Sequence, residues 1–108
     1  MSDKINIAIM GFGHIGRYLY ENTLNSDIFN VKIISDIGNI DSLNYLLNNN
    51  LRNKNIGVDV EDDFFVFNNN KTKFINSVLP GEINWEAYEI DWVIDATGKF
   101  LDKSILNK

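Results

Sequence analysis

Gly11-Phe12-Gly13-His14-Ile15-Gly16 is the segment of this chain whose residue types and spacing most directly suggest chemistry. In such a loop the first glycine permits a tight turn out of a strand, the second lets the backbone approach a pyrophosphate, and the third lets the following helix pack close to the sheet. A helix opening there aims its free N–H groups and the positive end of its dipole at phosphate. Asp36 follows Gly16 by 20 residues at the end of a second β-rich run, where a ribose-binding carboxylate should stand. Strand, glycine turn, helix and carboxylate together point to dinucleotide binding. The loop by itself would also suit another nucleotide fold or an S-adenosylmethionine fold.

Little else in the chain is equipped for chemistry. There is no cysteine, and the single histidine, His14, lies inside the glycine loop, where it is read as an exposed residue whose backbone matters. Asp59, Glu61, Asp62 and Asp63 cluster, but their spacing fits no calcium loop and reads as a solvated turn. No metal site is expected. Trp85 and Trp92 read as core or interface packing, and Glu86 and Glu89 have no partner in a legible acid–base arrangement.

The elements that must position the loop follow from periodicity. Lys4 to Met10 alternates Ile5, Ile7 and Ile9 with apolar Ala8 and Met10, as a strand covered on both faces does. His14 to about Asn25 suits a helix, with Ile15, Tyr18 and Leu19 expected against the sheet. Val31 to Ser35 is a second strand, and Asp41 to Asn48 a second helix carrying Leu43, Leu46 and Leu47. Asn55–Val60, Asp63–Phe67 and Lys71–Ser77 are short β-type runs, the last two joined by a turn at Asn68-Asn69-Asn70. Trp92 to Ala96 is a further strand, and Asp102 to Lys108 reads as the start of a helix. This order predicts an α/β fold of Rossmann type: a doubly wound, mainly parallel sheet with inserted antiparallel hairpins, incomplete at its C-terminal end.

Composition sets outer bounds. The 108 residues carry a net charge of −5 with 44% hydrophobic residues, enough for one folded domain. The acidic balance argues against nucleic acid as a partner, which would call for clustered Lys and Arg. No segment approaches the roughly 20 apolar residues of a membrane span, and Met1 to Ile5 does not resemble a signal peptide. A cytoplasmic protein is the expectation. The 17 asparagines are read as compositional bias, with Asn48-Asn49-Asn50 at a helix end.

From Ile7-Ala8-Ile9-Met10-Gly11-Phe12-Gly13-His14-Ile15-Gly16-Arg17 onward the chain resembles the glyceraldehyde-3-phosphate dehydrogenase family, whose usual opening is I-N-G-F-G-R-I-G-R. Ile34-Ser35-Asp36 resembles its I-N-D, and Leu43-Asn44-Tyr45-Leu46-Leu47 its helix leading to L-L. Ser77 to Trp85 resembles E-R-D-P-x-x-I-x-W, and Val93-Ile94-Asp95-Ala96-Thr97-Gly98-Lys99-Phe100 resembles V-V-E-S-T-G-x-F. Erythrose-4-phosphate dehydrogenases share these features. The resemblance implies that residues 1–108 are an NAD(P)-binding domain. Gly11, Phe12, Gly13, His14, Ile15 and Gly16 would surround the pyrophosphate, with the N–H groups of His14 and Ile15 as donors. It implies ribose binding by Asp36, with NAD preferred and NADP the alternative, and it places Thr97, Gly98 and Phe100 beside adenine and pyrophosphate.

The departures are equally definite. Met10 stands where the family has Asn, His14 where it has Arg, and Val78 where it has Arg or Met. Asn48 to Lys54 replaces K-Y-D-S-x-H-G without a residue match. At about 1 kcal/mol per hydrogen bond, three such losses would lower affinity about a hundredfold. The family's cysteine nucleophile, its histidine and its phosphate-binding basic residues belong to a second domain, so residues 1–108 are expected to be non-catalytic by themselves. A catalytic domain or partner chain is expected to cover the open sheet edge. The alternative is a stand-alone module that binds a nucleotide or a partner without doing chemistry.

Overall fold

The computed structural model describes residues 4–77, 81 and 83–97. They run in the order β1 (Ile5–Met10), α1 (His14–Thr23), β2 (Phe29–Ser35), α2 (Ile40–Leu51), β3 (Asp59–Glu61), β4 (Phe64–Phe67), β5 (Asn70–Ile75) and β6 (Trp92–Asp95), with short 3-10 turns at Arg52–Lys54 and Trp85–Tyr88. The expected helix at 102–108 lies outside the described residues. So do Val78, Gly98 and Phe100.

Because β1 is apolar on both faces, it is suited to an interior position in a covered sheet. It is flanked on both sides, parallel to β2 on one and to β6 on the other, as the fifth strand of a six-stranded sheet of order β3-β4-β5-β2-β1-β6. β5 is also parallel to β2, while β3 and β4 extend the sheet as antiparallel neighbours. The hairpins that interrupt the sequence therefore sit at one edge in space. Asn68 makes the β4–β5 turn by adopting a left-handed conformation, φ 54°, and Asp62 does the same between β3 and β4 at φ 53°. The acidic cluster is thus a turn and its flanking strand, with Asp63 paired to Lys73 at 3.5 Å.

Two apolar layers hold the sheet. On one face Ile7, Ile9, Val31 and Ile34 pack beneath α1 and α2 with Phe12, Tyr20, Leu43, Leu47, Leu51 and Phe65. On the other, Ala8 and Ile33 meet Ile83, with Trp85, Tyr88 and Ile90 partly buried around them. A register shift between Ile7 and Ala8 skips Lys32 on β2. This bulge puts Val31 and Ile34 in one layer and Ile33 in the other, where simple alternation would put Val31 and Ile33 together.

Two helical expectations are corrected. Ile15 and Tyr18 do not cover the sheet: they are 66% and 65% exposed, while Leu19 packs against the core and Tyr20 is buried. The rotation of α1 is set by Gly16, whose added Cβ would overlap the Gly11 carbonyl oxygen. With about 100° of turn per residue, Tyr20 returns to the Gly16 side and Tyr18 faces away. α2 runs three residues beyond the expected end at Asn48, because Leu43, Leu47 and Leu51 form one buried stripe while Leu46 stays 42% exposed. Its N-terminus is capped by Asn39, whose side chain accepts from the N–H of Asp41 at 2.8 Å and of Ser42 at 3.2 Å.

The run expected as a strand from Asn55 narrows to Asp59–Glu61. Asn55 ends a 3-10 turn in left-handed geometry, and Val58 bonds the Asn48 side chain through both its N–H and its carbonyl. At the opposite edge, an apolar groove of about 620 Å³ runs between α1 and β6, lined by Ile7, Ile9, Leu19, Val31, Trp92 and Ile94 among others. Trp92 is 65% exposed there, so of the two tryptophans only Trp85 packs against a core layer.

Candidate functional site

The glycine loop leaves β1 between the C-terminal ends of β2 and β6. Gly11 N–H donates to the Ser35 carbonyl at 2.7 Å, and Ala96 N–H donates to the Met10 carbonyl at 2.7 Å. Each glycine does a different job. Gly11 has φ +92°, and a Cβ on it would lie 2.8 Å from the Thr97 backbone, so the turn admits no side chain. Gly16 lets α1 sit against the loop. Among the described residues a Cβ on Gly13 would meet nothing within 4 Å, which leaves space where the second glycine of such a loop faces its ligand.

Phe12 anchors the loop from below. Its ring is fully buried and meets Tyr20 and Phe65 at centroid distances of 5.8 and 5.3 Å. Gly13 is the N-cap of α1 and supplies no side-chain cap, so among the described residues the first-turn N–H groups, which have no intrahelical acceptor, are left without a capping side chain. His14 and Ile15 are exposed in that first turn.

Asp36 lies just past β2, half-buried. One carboxylate oxygen accepts the Phe12 N–H at 2.7 Å, and the other accepts the Gly38 N–H at 2.7 Å. Asn76 fastens the same turn by donating its amide to the carbonyls of Asp36 and Gly38, at 3.1 and 3.0 Å. Thr97 closes the other side; its N–H and hydroxyl donate to Asp95 at 3.0 and 2.6 Å. Gly11, Phe12, Gly13, His14, Ile15, Gly16, Asp36 and Thr97 are therefore brought together at one end of the parallel strands, the end at which open α/β sheets bind ligands. Gly98 and Phe100 lie outside the described residues.

This arrangement fits a dinucleotide. An uncapped helix N-terminus can receive phosphate. Each Asp36 oxygen keeps a lone pair for a hydroxyl after accepting one amide. Met10, one of the departures, is 2% exposed and lies in register with Ser35, whose buried hydroxyl has no partner among the described residues.

Comparison with known proteins agrees with this geometry. Residues 5–103 match the model of the family described as glyceraldehyde 3-phosphate dehydrogenase, NAD binding domain. The chain belongs to this family of glyceraldehyde-3-phosphate dehydrogenase NAD-binding domains. It is 31% identical over 99 residues to glyceraldehyde-3-phosphate dehydrogenase 2 of Bacillus subtilis, covering 90% of this chain and 29% of that protein. It is 30% identical over 104 residues to glyceraldehyde-3-phosphate dehydrogenase 1 of Bacillus cereus, covering 94% and 31%. With glyceraldehyde-3-phosphate dehydrogenase of Haemophilus influenzae it shares 29% over 106 residues, covering 96% and 31%. The chain thus spans under a third of the length of these dehydrogenases.

Within this dehydrogenase-type domain, motif reading passes over three residues that shape the site. Arg17 is buried at 6% exposure and donates to the Phe12 carbonyl at 3.0 Å. Gly38 and Asn76 hold the Asp36 turn. Arg17 follows the glycine signature directly, so position could have flagged it. Asn76 carries no such signal, because only the parallel pairing of β5 with β2 brings it to Asp36.

Proposed function

We propose that this chain binds NAD at the glycine loop as the cofactor-binding part of a dehydrogenase of the glyceraldehyde-3-phosphate type. The pyrophosphate sits on the N–H groups of His14 and Ile15, with Gly11, Phe12, Gly13 and Gly16 shaping the loop. Asp36 accepts the adenosine ribose hydroxyls and disfavours a 2′-phosphate, so NAD is preferred to NADP. Thr97, with Gly98 and Phe100, borders the adenine and pyrophosphate. Bound NAD supplies a hydride acceptor; the described residues contribute binding and orientation.

The observation that carries this reading is the open space at Gly13 beside a helix start that has no cap, within reach of the Asp36 turn. Family membership supports it independently. Oxidation of a phosphorylated aldehyde would be the work of a further domain, for which the open β6 edge and its apolar groove offer a surface. The setting is cytoplasmic on this reading, in keeping with the finding that no helix among the described residues is long and apolar enough to cross a membrane.

Calorimetric titration tests the proposal. Saturable NAD binding, weaker NADP binding, and a loss of about tenfold or more in Asp36→Ala are expected, since hydrogen bonds to a charged group contribute about 1.5–3 kcal/mol. Absence of NAD binding at millimolar concentration overturns it and leaves a partner-binding module, which the exposed groove would favour. The mass of the protein isolated from its native cell then separates a cofactor half from a stand-alone module: a value well above 12.4 kDa identifies the former.

A further inference from the structure

We propose that Arg17 and Asp36 act as a pair of positioning residues that hold the two peptide groups flanking Phe12 and thereby aim the Gly13 N–H at the ligand. This rests on the reading of the loop as the pyrophosphate seat. Two bonds carry it. The Gly11–Phe12 peptide gives its N–H to the Asp36 carboxylate at 2.7 Å, and the Phe12–Gly13 peptide receives the Arg17 Nη1 on its carbonyl at 3.0 Å. Charges of opposite sign thus grip successive peptides from two different elements.

The geometry of a trans peptide supplies the rest. Its C=O and N–H point in opposite directions, so drawing the Phe12 carbonyl inward onto Arg17 turns the Gly13 N–H outward, at a glycine that is itself exposed. The ring of Phe12 cannot swing to relax this, because it is fully buried against Tyr20 and Phe65.

Arg17 is an unusual residue to spend on such a task. Among the described residues no carboxylate lies within ion-pair distance of it, and its Nε has no hydrogen-bond partner. Burying a guanidinium is costly unless its hydrogen bonds are met, and the bond that Arg17 makes among the described residues is the one to the Phe12 carbonyl. Its charge also lies one turn inside the end of α1 that would meet the pyrophosphate, where a cation adds to the helix dipole. Asp36 has two duties on this account: it binds ribose, and it fixes the loop before the ligand arrives.

The test is amide exchange by NMR on the 108-residue chain, read together with NAD titration. In the ligand-free protein the Phe12 amide is expected to exchange at least tenfold more slowly than the Gly13 amide, although both belong to a loop. Arg17→Met should shift the Gly13 and His14 amide resonances and raise the NAD dissociation constant about tenfold. Arg17→Lys, which restores charge without the planar fork, should recover only part of that loss. In Asp36→Asn one of the Phe12 and Gly38 amides must face an NH₂ group, so one of the two should lose protection.

A wild-type Phe12 amide that exchanges as fast as that of Gly13 overturns the proposal even if Arg17→Met fails to fold. So does an Arg17→Met protein with unchanged loop resonances and affinity. Full recovery in Arg17→Lys overturns the positioning role and leaves charge alone. If the wild-type chain binds no NAD while Phe12 is protected and Arg17→Met shifts the Gly13 and His14 resonances, the nucleotide reading fails and the clamp stands.

Discussion

At the scale of single residues, the glycines divide between holding the fold and admitting a ligand. Gly16→Ala forces a methyl into the Gly11 carbonyl and is expected to cost about 2–3 kcal/mol of stability by overpacking, read as a lowered urea midpoint. Gly13→Ala meets open space, so stability should change by no more than about 1 kcal/mol, while NAD affinity falls at least tenfold because the methyl occupies the ligand's approach. Tyr20 gives a prediction in pH. Burial outweighs its hydrogen bond with Thr72 and pushes the phenol up to about 12. The folded chain then holds this proton more tightly than the unfolded one, so stability is full below pH 10 and declines as pH rises from 10 through 12. A shift of that size corresponds to roughly 2–3 kcal/mol, and Tyr20→Phe should remove the decline in urea titrations between pH 9 and 12. Gly11 and Gly16 were legible because backbone clearance demands glycine at each, and Asp36 was legible as the carboxylate that ends the second strand beside the loop. The burial of Arg17 was not, since a long cationic side chain on a helix ordinarily reaches water, and only the seat of Gly16 rotates this one inward.

At the scale of elements, the structure is joined by the asparagines that composition alone made unremarkable. Asn39 caps α2, Asn84 caps the Trp85–Tyr88 turn, and Asn55 and Asn68 take left-handed geometry. Asn48 does the most: its amide donates to the Val58 carbonyl at 2.9 Å and accepts the Val58 N–H at 2.8 Å, tying α2 to the segment before β3 as a neighbouring strand would. Asn48→Ala leaves both groups of a buried residue unpaired and should cost about 2–4 kcal/mol, measured by urea unfolding, whereas Asn50→Ala at an exposed position should be nearly silent. Strand positions were legible because β1 and β6 are apolar runs with few alternatives. The face of α1 and the end of α2 were not: Ile15, Tyr18 and Leu46 are as apolar as the residues that are buried, and three asparagines are weak helix formers that the Leu43–Leu47–Leu51 stripe overrides. The β2 bulge was invisible for a similar reason, since a single skipped residue leaves no mark in Val31-Lys32-Ile33-Ile34.

For the whole molecule, the described strands run from β3 at one edge of the sheet to β6 at the other. Short β3, with exposed Asp59 and Glu61 on it, ends one side in a manner that discourages further pairing. The β6 side presents the apolar groove and Trp92 instead. The native chain is therefore expected to enhance the fluorescence of an anilinonaphthalene dye, and Trp92→Glu should reduce that signal severalfold with the circular dichroism spectrum unchanged. β1 lies between β2 and β6 and is tied to the start of β6 by reciprocal bonds: Asn6 N–H donates to the Asp91 carboxylate at 2.8 Å across 85 residues, and Asp91 N–H donates back to the Asn6 carbonyl at 2.9 Å. This arrangement has a consequence in time. During synthesis the N-terminal strand emerges first, yet one of its flanks waits until the other end of the described chain has left the ribosome. The β3–β4–β5 meander closes over short loops and can form earlier. The strand made first is completed last, and a ribosome that stalled before residue 92 would hold out a nascent chain with β1 paired on one side alone.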